Sequence, residues 1–355
     1  MERKKGKQIR QFILEEVRNH PKDIVHTTEK TFGVTRKAVY FHVNKLIDKG
    51  LLIGEGNTRK RQYKLKPIAE KKQYFPISKD LEEDILWRVD FRPDLANIPK
   101  NVLDICNYGF TEMVNNVIDH SAGTLVMIKI VQTAVDIEID IFDNGIGIFK
   151  KIQMALGLED QRHSILELAK GKLTTDPIHH TGEGIFFSSR MFDTFNMGSG
   201  GIYFLHSDLN GEWLIGDAEE AEGTLVRMNI RINSTKTAKE VFDKYSSENE
   251  YDFSKTIVPV LLAKYGDENL VSRSQAKRLL VRFEKFREVI LNFSGVEDIG
   301  QAFADEIFRV FRHQNPQVHI TFSNANKEVK RSIMRALQND FLSAVGKALA
   351  DEKSN

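Results

Sequence analysis

Apolar and polar positions recur along this chain with three rhythms. Over the first fifty residues the period is helical. Ile9, Phe12, Ile13 and Val17 share one face of a segment 8–19, and Val39, Val43, Leu46 and Ile47 share one face of a segment 36–49. A second helix is expected over 23–32, after the break at His20-Pro21. The turn Gly33-Val34-Thr35 then places Thr35 as cap of the third helix, and Gly50 ends it. Residues 51–56 and 61–65 read as two strands around Asn57-Thr58-Arg59-Lys60.

The middle of the chain mixes periods. Residues 68–100, rich in charge, proline and aromatics, read as a lead-in with a first strand. Phe110, Met113, Val114, Val117 and Ile118 form a helical face. Val135, Ile137, Ile139 and Ile141 then alternate with Asp136, Glu138 and Asp140, the pattern of a half-buried strand. A glycine-rich turn near 182 opens another helix, and 222–230 is a turn into an alternating strand. A polar stretch, 234–252, reads as linker. Beyond it, strands at 256–262, 288–296 and 318–322 alternate with helices at 272–284, 301–313 and 327–340, which implies a mostly parallel sheet. The expectation is an α/β multidomain chain with domains at 1–67, 68–233 and 253–355.

Composition sharpens this only in part. The 355 residues suit two or three domains, and 41% hydrophobic with 28% charged is ordinary for a globular protein. No apolar run is long enough to span a membrane and no secretory leader is evident, so the default expectation is a cytoplasmic protein. The single cysteine, Cys106, lies among Val102, Leu103 and Ile105; it reads as a buried thiol and excludes a disulfide framework. Charge changes the picture more. Seventeen Lys/Arg against seven Asp/Glu give residues 1–67 a formal +10, so the other 288 residues carry −9 of the total +1. A basic head on an acidic body points to a polyanionic partner for the head.

Four short stretches carry candidate chemistry. Glu112 and Asn116 are four apart on a helix, hence on one side. The amide oxygen suits Mg²⁺ and the carboxylate can orient or deprotonate a water. Asp143-Asn144-Gly145-Ile146-Gly147 closes the alternating strand; a strand-end carboxylate can accept from an exocyclic amine, and glycines let backbone approach a ligand. Thr181-Gly182-Glu183-Gly184 opens a helix whose first N–H groups can hold phosphate. Gly223-Thr224 precedes the last strand. Singly, these read as a solvated helix face, a hairpin turn, an ordinary loop-to-helix junction and a plain turn. His179 and His180 have no third ligand at useful spacing and read as part of a polar loop.

In order and spacing the four stretches resemble the GHKL ATP-binding family, which includes DNA gyrase, the ninety-kilodalton heat-shock chaperones, histidine kinases, MutL and the anti-sigma serine kinases. The resemblance covers roughly residues 75–232, and the wording Glu-Met-Val-Asn-Asn-Val-Ile-Asp-His-Ser is nearest to the anti-sigma branch. It implies an α/β sandwich that binds ATP with Mg²⁺. Asn116 would hold the metal and Glu112 would act as general base. Asp143 would read the adenine amine, with Gly145 and Gly147 shaping its turn. Thr181, Gly182, Gly184 and Thr224 would lie at the nucleotide, and the stretch between Gly147 and Gly182 would be a lid.

The flanking segments resemble known modules too. Helix, helix, glycine turn, helix and hairpin over about 5–67 resemble a winged helix-turn-helix. That implies duplex DNA as partner, with Arg36, Lys37, Tyr40 and Asn44 on the third helix and Lys60 and Arg61 on the wing. Val-Ile-Leu-Asn-Phe-Ser-Gly-Val-Glu-Asp-Ile-Gly-Gln-Ala, from 289, resembles STAS domains, and more closely a STAS-like domain of unknown role; a protein partner is expected there. In STAS antagonists a serine or threonine in this turn is phosphorylated, whereas this chain has Gly300 and Gln301. The function expected is an ATP-responsive DNA-binding regulator of transcription with slow ATPase activity. The alternatives are a serine/threonine kinase of the anti-sigma type acting on a separate protein, and a conformational ATPase whose winged helix contacts protein. A homodimer is compatible with each.

Overall fold

The structure, a computed structural model, describes residues 2–57, 60–174, 182–208, 211–247, 250–264 and 268–338. It is mixed α/β and separates into two compact units. The first comprises Met1–Gly145, Phe192–Asn196 and Leu225–Lys236, the second Ile146–Met191, Met197–Thr224 and Thr237–Asn355.

In the first unit, helices α1 (Glu2–Glu16), α2 (Ile24–Phe32) and α3 (Arg36–Asp48) bury Ile13, Val17, Ile24, Val39 and Val43 against one another. Gly33 ends α2 with φ 59°, and Thr35 Oγ1 accepts from Ala38 N at 3.4 Å to start α3. Strands β1 (Leu52–Glu55) and β2 (Gln62–Leu65) pair antiparallel, with Tyr63 in the same core. A larger sheet follows: β3 (Ala69–Pro76), β4 (Leu125–Gln132) and β5 (Asp136–Asp143) form an antiparallel meander. Residues 225–231 of β9 (Thr224–Arg231) come next in order. Across the sheet lies α5 (Lys100–His120), where Trp87 and Phe91 pack on Phe110 at 5.2 and 5.6 Å between ring centres. Those two rings come from a segment whose charge and proline hid a helix: α4 (Glu83–Ile85) runs on as a wider π-helical turn, Leu86–Phe91, to the 3₁₀ turn at Pro93.

The polar face of β5 departs from the half-buried expectation. Asp136 and Asp140 are buried along with the isoleucines between them. Arg227 forks onto Asp140 at 2.7 and 2.8 Å, while Arg18, Asn229 and Thr133 converge on Asp136. Charge pairs cover this face where apolar residues would otherwise be needed. Burial pushes the Glu138 carboxyl up, and neighbouring Arg227 works against that shift.

The second unit opens with α6 (Ile148–Leu156), α7 (His163–Lys170) and α8 (Gly184–Met191). It continues with the end of β6 (Thr194–Ser199) and the hairpin β7 (Ile202–Ser207) with β8 (Glu212–Asp217). The stretch expected as linker instead forms α9 (Ala238–Tyr245), started by a reciprocal cap between Thr237 and Glu240. Phe242 and Tyr245 anchor it on Phe187 and Phe186, at 4.6 and 4.9 Å between ring centres. The short strands β10 (Ser246–Ser247) and β11 (Glu250–Phe253) follow. Then β12 (Lys255–Pro259), β13 (Glu288–Asn292) and β14 (His319–Ser323) make the parallel sheet in that order. The helices between and after them are α10 (Arg273–Leu280), α11 (Gln301–Asp305, extended by a π-helical turn) and a helix from 327, described to 338. No described helix is long and apolar enough to cross a membrane.

Candidate functional site

The candidate residues fall on both units, and each group has its own geometry. In the first unit, Glu112 and Asn116 are half-buried on consecutive turns of α5, whose other side carries Met113, Val114 and Val117 into the core. Asp143 ends β5 and is 3% exposed. Its Oδ1 accepts from Gly145 N at 2.8 Å, which bends the chain back sharply. A Cβ on Gly145 would stand 2.1 Å from Ser121 O and 2.9 Å from Asp143 Oδ1, so only glycine fits. Asn144 locks the outside of the turn, accepting from Thr124 N and Leu125 N at 2.9 and 3.0 Å.

In the second unit, Gly147 caps α6 with φ 84°, and a Cβ there would meet Ser199 Oγ at 2.5 Å. Ser199 Oγ donates to Gly223 O at 2.7 Å, and Ile148 N donates to Thr224 Oγ1 at 3.0 Å. Gly147, Ser199, Gly223 and Thr224 therefore form one connected patch. Ser199 was missed by sequence reasoning; its signal was the run Gly198-Ser199-Gly200-Gly201. Gly182 has φ 71°, and a Cβ on it would strike the Leu173 backbone at 2.4 Å. Leu173 N donates to Gly182 O at 3.1 Å. Gly184 opens α8. Thr181, His179 and His180 lie outside the described residues. The stretch expected as a lid contains two packed helices, and every residue of α7 is buried. Among the described residues no group of three His, Cys, Asp or Glu is placed to hold a metal.

The N-terminal face has its own candidates. Arg36, Lys37, Tyr40 and Asn44 are all exposed on α3, opposite Val39, Val43 and Leu46. The Arg36 guanidinium lies 5.7 Å from the centre of the Tyr40 ring, and its hydrogen bond to the Tyr40 hydroxyl raises its pKa. Phe41, 63% exposed and one turn after Lys37, shares this side. The sequence reading did not single it out. Lys60 and Arg61 are exposed on the hairpin; Arg61 is folded back over Tyr63, 5.5 Å from the ring centre, and onto Gly54. Cys106 is fully buried, and burial pushes its thiol well up.

At the C-terminal sheet, Gly300 caps α11, and a Cβ there would come 2.7 Å from Val271 Cα. The turn therefore has no room for a serine or threonine at that position.

Residues 275–330 match the model of a family described as a STAS-like domain of unknown function (DUF4325). No curated protein matches the chain.

Proposed function

We propose that the protein binds ATP with Mg²⁺ and that the nucleotide governs the binding of duplex DNA by residues 1–67. One observation carries the nucleotide half: the turn after β5. A buried carboxylate ends the strand, and the glycines at 145 and 147 are the positions where any side chain would collide with a carbonyl or a hydroxyl. Such a turn keeps the backbone low beside an acceptor, as a base-recognition site requires. A carboxylate offers about four acceptor directions, enough to serve the Gly145 N–H and an amine together. Asn116 would supply an oxygen to Mg²⁺, and Glu112, one turn before it, would hold the attacking water or hydroxyl. The N–H groups that begin at Gly184 would receive phosphate. Bound ATP would supply the phosphoryl group and, with its metal, the charge to which these donors respond.

The DNA half rests on the exposed Arg36, Lys37, Tyr40 and Asn44 of α3, with Lys60 and Arg61 on the hairpin. Lys60 and Arg61 would grip phosphate and position the chain, and Arg36, Lys37, Tyr40 and Asn44 on α3 would face the base edges. The C-terminal STAS-like region would receive a protein partner.

Calorimetry with Mg·ATP on the full chain tests the nucleotide half. Asp143→Asn, which trades an acceptor for a mixed group, and Asn116→Ala are expected to weaken binding at least tenfold; unchanged affinity in both refutes the assignment. Glu112→Gln should retain binding and lose turnover. Labelled ATP with and without DNA or cell extract then separates the readings. Free phosphate marks an ATPase and phosphoprotein marks a kinase. A shift in DNA affinity without either marks a nucleotide sensor.

A further inference from the structure

Helix α7 has no side that faces solvent, yet it carries His163, Ser164, Glu167 and Lys170. A buried charge is tolerated only when paired and hydrogen-bonded. Besides each other, the side chains of Glu167 and Lys170 have partners more than a hundred positions away. Lys170 Nζ donates to Glu167 Oε1 at 2.6 Å, to Val281 O at 2.9 Å and to Arg278 O at 3.4 Å. Arg282 donates through Nη1 to Glu167 Oε2 at 2.9 Å and through Nη2 to Gly171 O. Thr256 Oγ1 closes the other side, donating to Lys170 O at 2.8 Å. Arg278, Val281 and Arg282 all belong to the segment that matches the STAS-like family.

The backbone marks the same contact. Five described non-glycine residues have positive φ, and the two with long charged side chains are Lys172 (φ 50°) and Arg282 (φ 68°). They sit on its two sides: Lys172 Nζ donates to Lys285 O at 3.1 Å, and Arg282 reaches back to Glu167 and Gly171. Left-handed backbone at such residues is strained and persists where the surroundings over-determine it, which is common in switch regions.

We propose that residues 278–286 of the STAS-like region form an intramolecular latch on α7, one that opposes movement of α7 toward bound nucleotide. The inference rests on the ATP reading above. For α7 to move, Glu167 must leave Arg282, and Lys170 must leave two carbonyls. Each step strands a buried charge, so the packed state is held strongly. A protein that docks on the STAS-like region and draws Arg282 away would free α7. The C-terminal region thereby becomes the input that sets nucleotide affinity.

Arg282→Gln opens the latch. Because it leaves Glu167 short of a partner and could unfold the unit, the double variant Glu167→Gln/Arg282→Gln removes both charges at once. Two quantities are measured on the full chain: hydrogen exchange over 163–172 without nucleotide, and Mg·ATP affinity. Exchange in that stretch should quicken at least tenfold while β4 and β5 stay protected, and ATP should bind at least fivefold tighter. Exchange that does not change refutes the latch. So does ATP affinity equal to wild type, or weaker, in folded variants, and in that case the nucleotide reading stands. No ATP binding by wild type or either variant overturns both.

Discussion

Lys170 offers a test that needs no ligand. Its ammonium is 0% exposed, and burial lowers its pKa from 10.5 to about 8, with Arg282 adding to the shift while Glu167 and Glu284 oppose it. The unfolded chain keeps this proton up to 10.5, whereas the folded chain releases it near 8. Between those values unfolding takes up a proton, so raising the pH favours the folded state. At about 1.4 kcal/mol per pH unit the whole interval is worth about 3 kcal/mol, and about 2 kcal/mol of it falls below pH 9.5. Lys170→Met removes the titration and keeps the Glu167–Arg282 pair. Urea unfolding of both proteins at pH 7 and 9.5 isolates the effect, because every other titrating group cancels in the difference. The stability of wild type relative to Lys170→Met should rise by about 2 kcal/mol over that interval. A difference that stays flat would mean that Lys170 titrates normally and is reached by water. A difference that falls would mean that Glu167 holds the ammonium more tightly than burial opposes it.

Three further outcomes are expected. Gly109→Ala improves helix propensity in α5, but its Cβ would stand 2.4 Å from the Phe192 ring and 3.0 Å from Met228 Sδ; a net loss of about 1–3 kcal/mol in thermal or urea unfolding is expected. Lys60→Glu/Arg61→Glu should weaken the binding of every duplex alike and reduce the slope of log affinity against log salt by about 2, read by fluorescence anisotropy across a salt series. Cys106 should resist a thiol-specific disulfide reagent in the native protein and react fully once urea unfolds the chain, since it is 0% exposed and burial suppresses its thiolate.

Local rules were legible where the local sequence holds the whole cause. Thr35 caps α3 and Gly33 takes the left-handed conformation because turn chemistry is decided within three or four residues. The three parallel strands near the C-terminus follow from short apolar runs separated by helical ones. The glycines around Asp143 were legible for the same reason, and the structure adds what each one avoids: Ser121 O at 145 and Ser199 Oγ at 147. Composition misled where polar residues are packed by distant ones. The stretch 234–252 looks like a solvated linker because its packing runs through Phe242 and Tyr245 onto rings nearly sixty residues earlier. The helix before Pro93 was hidden because its apolar residues, Leu86, Trp87 and Phe91, follow a π-turn and not the usual period.

The same limit explains why the latch could not be read from the sequence, and why it makes physical sense as a control point. In the segment His163–Lys170, Glu167 and Lys170 stand three apart, the spacing of an ordinary exposed helix pair. At a surface such a pair contributes only a few tenths of a kcal/mol. Buried, the two charges become dependent on Arg282 and on carbonyls over a hundred residues away, and loss of one partner is then worth several kcal/mol. A contact whose strength depends so steeply on one distant guanidinium is weak as a source of net stability, because an apolar pair of similar volume would hold the helix as well. Its distinguishing property is that it can be undone from the far side: a partner that draws the segment 278–286 away takes Arg282 from Glu167 and the two carbonyls from Lys170 together. The left-handed backbone at Arg282 and Lys172 acts in the same direction, since it is strain that the closed contact must hold.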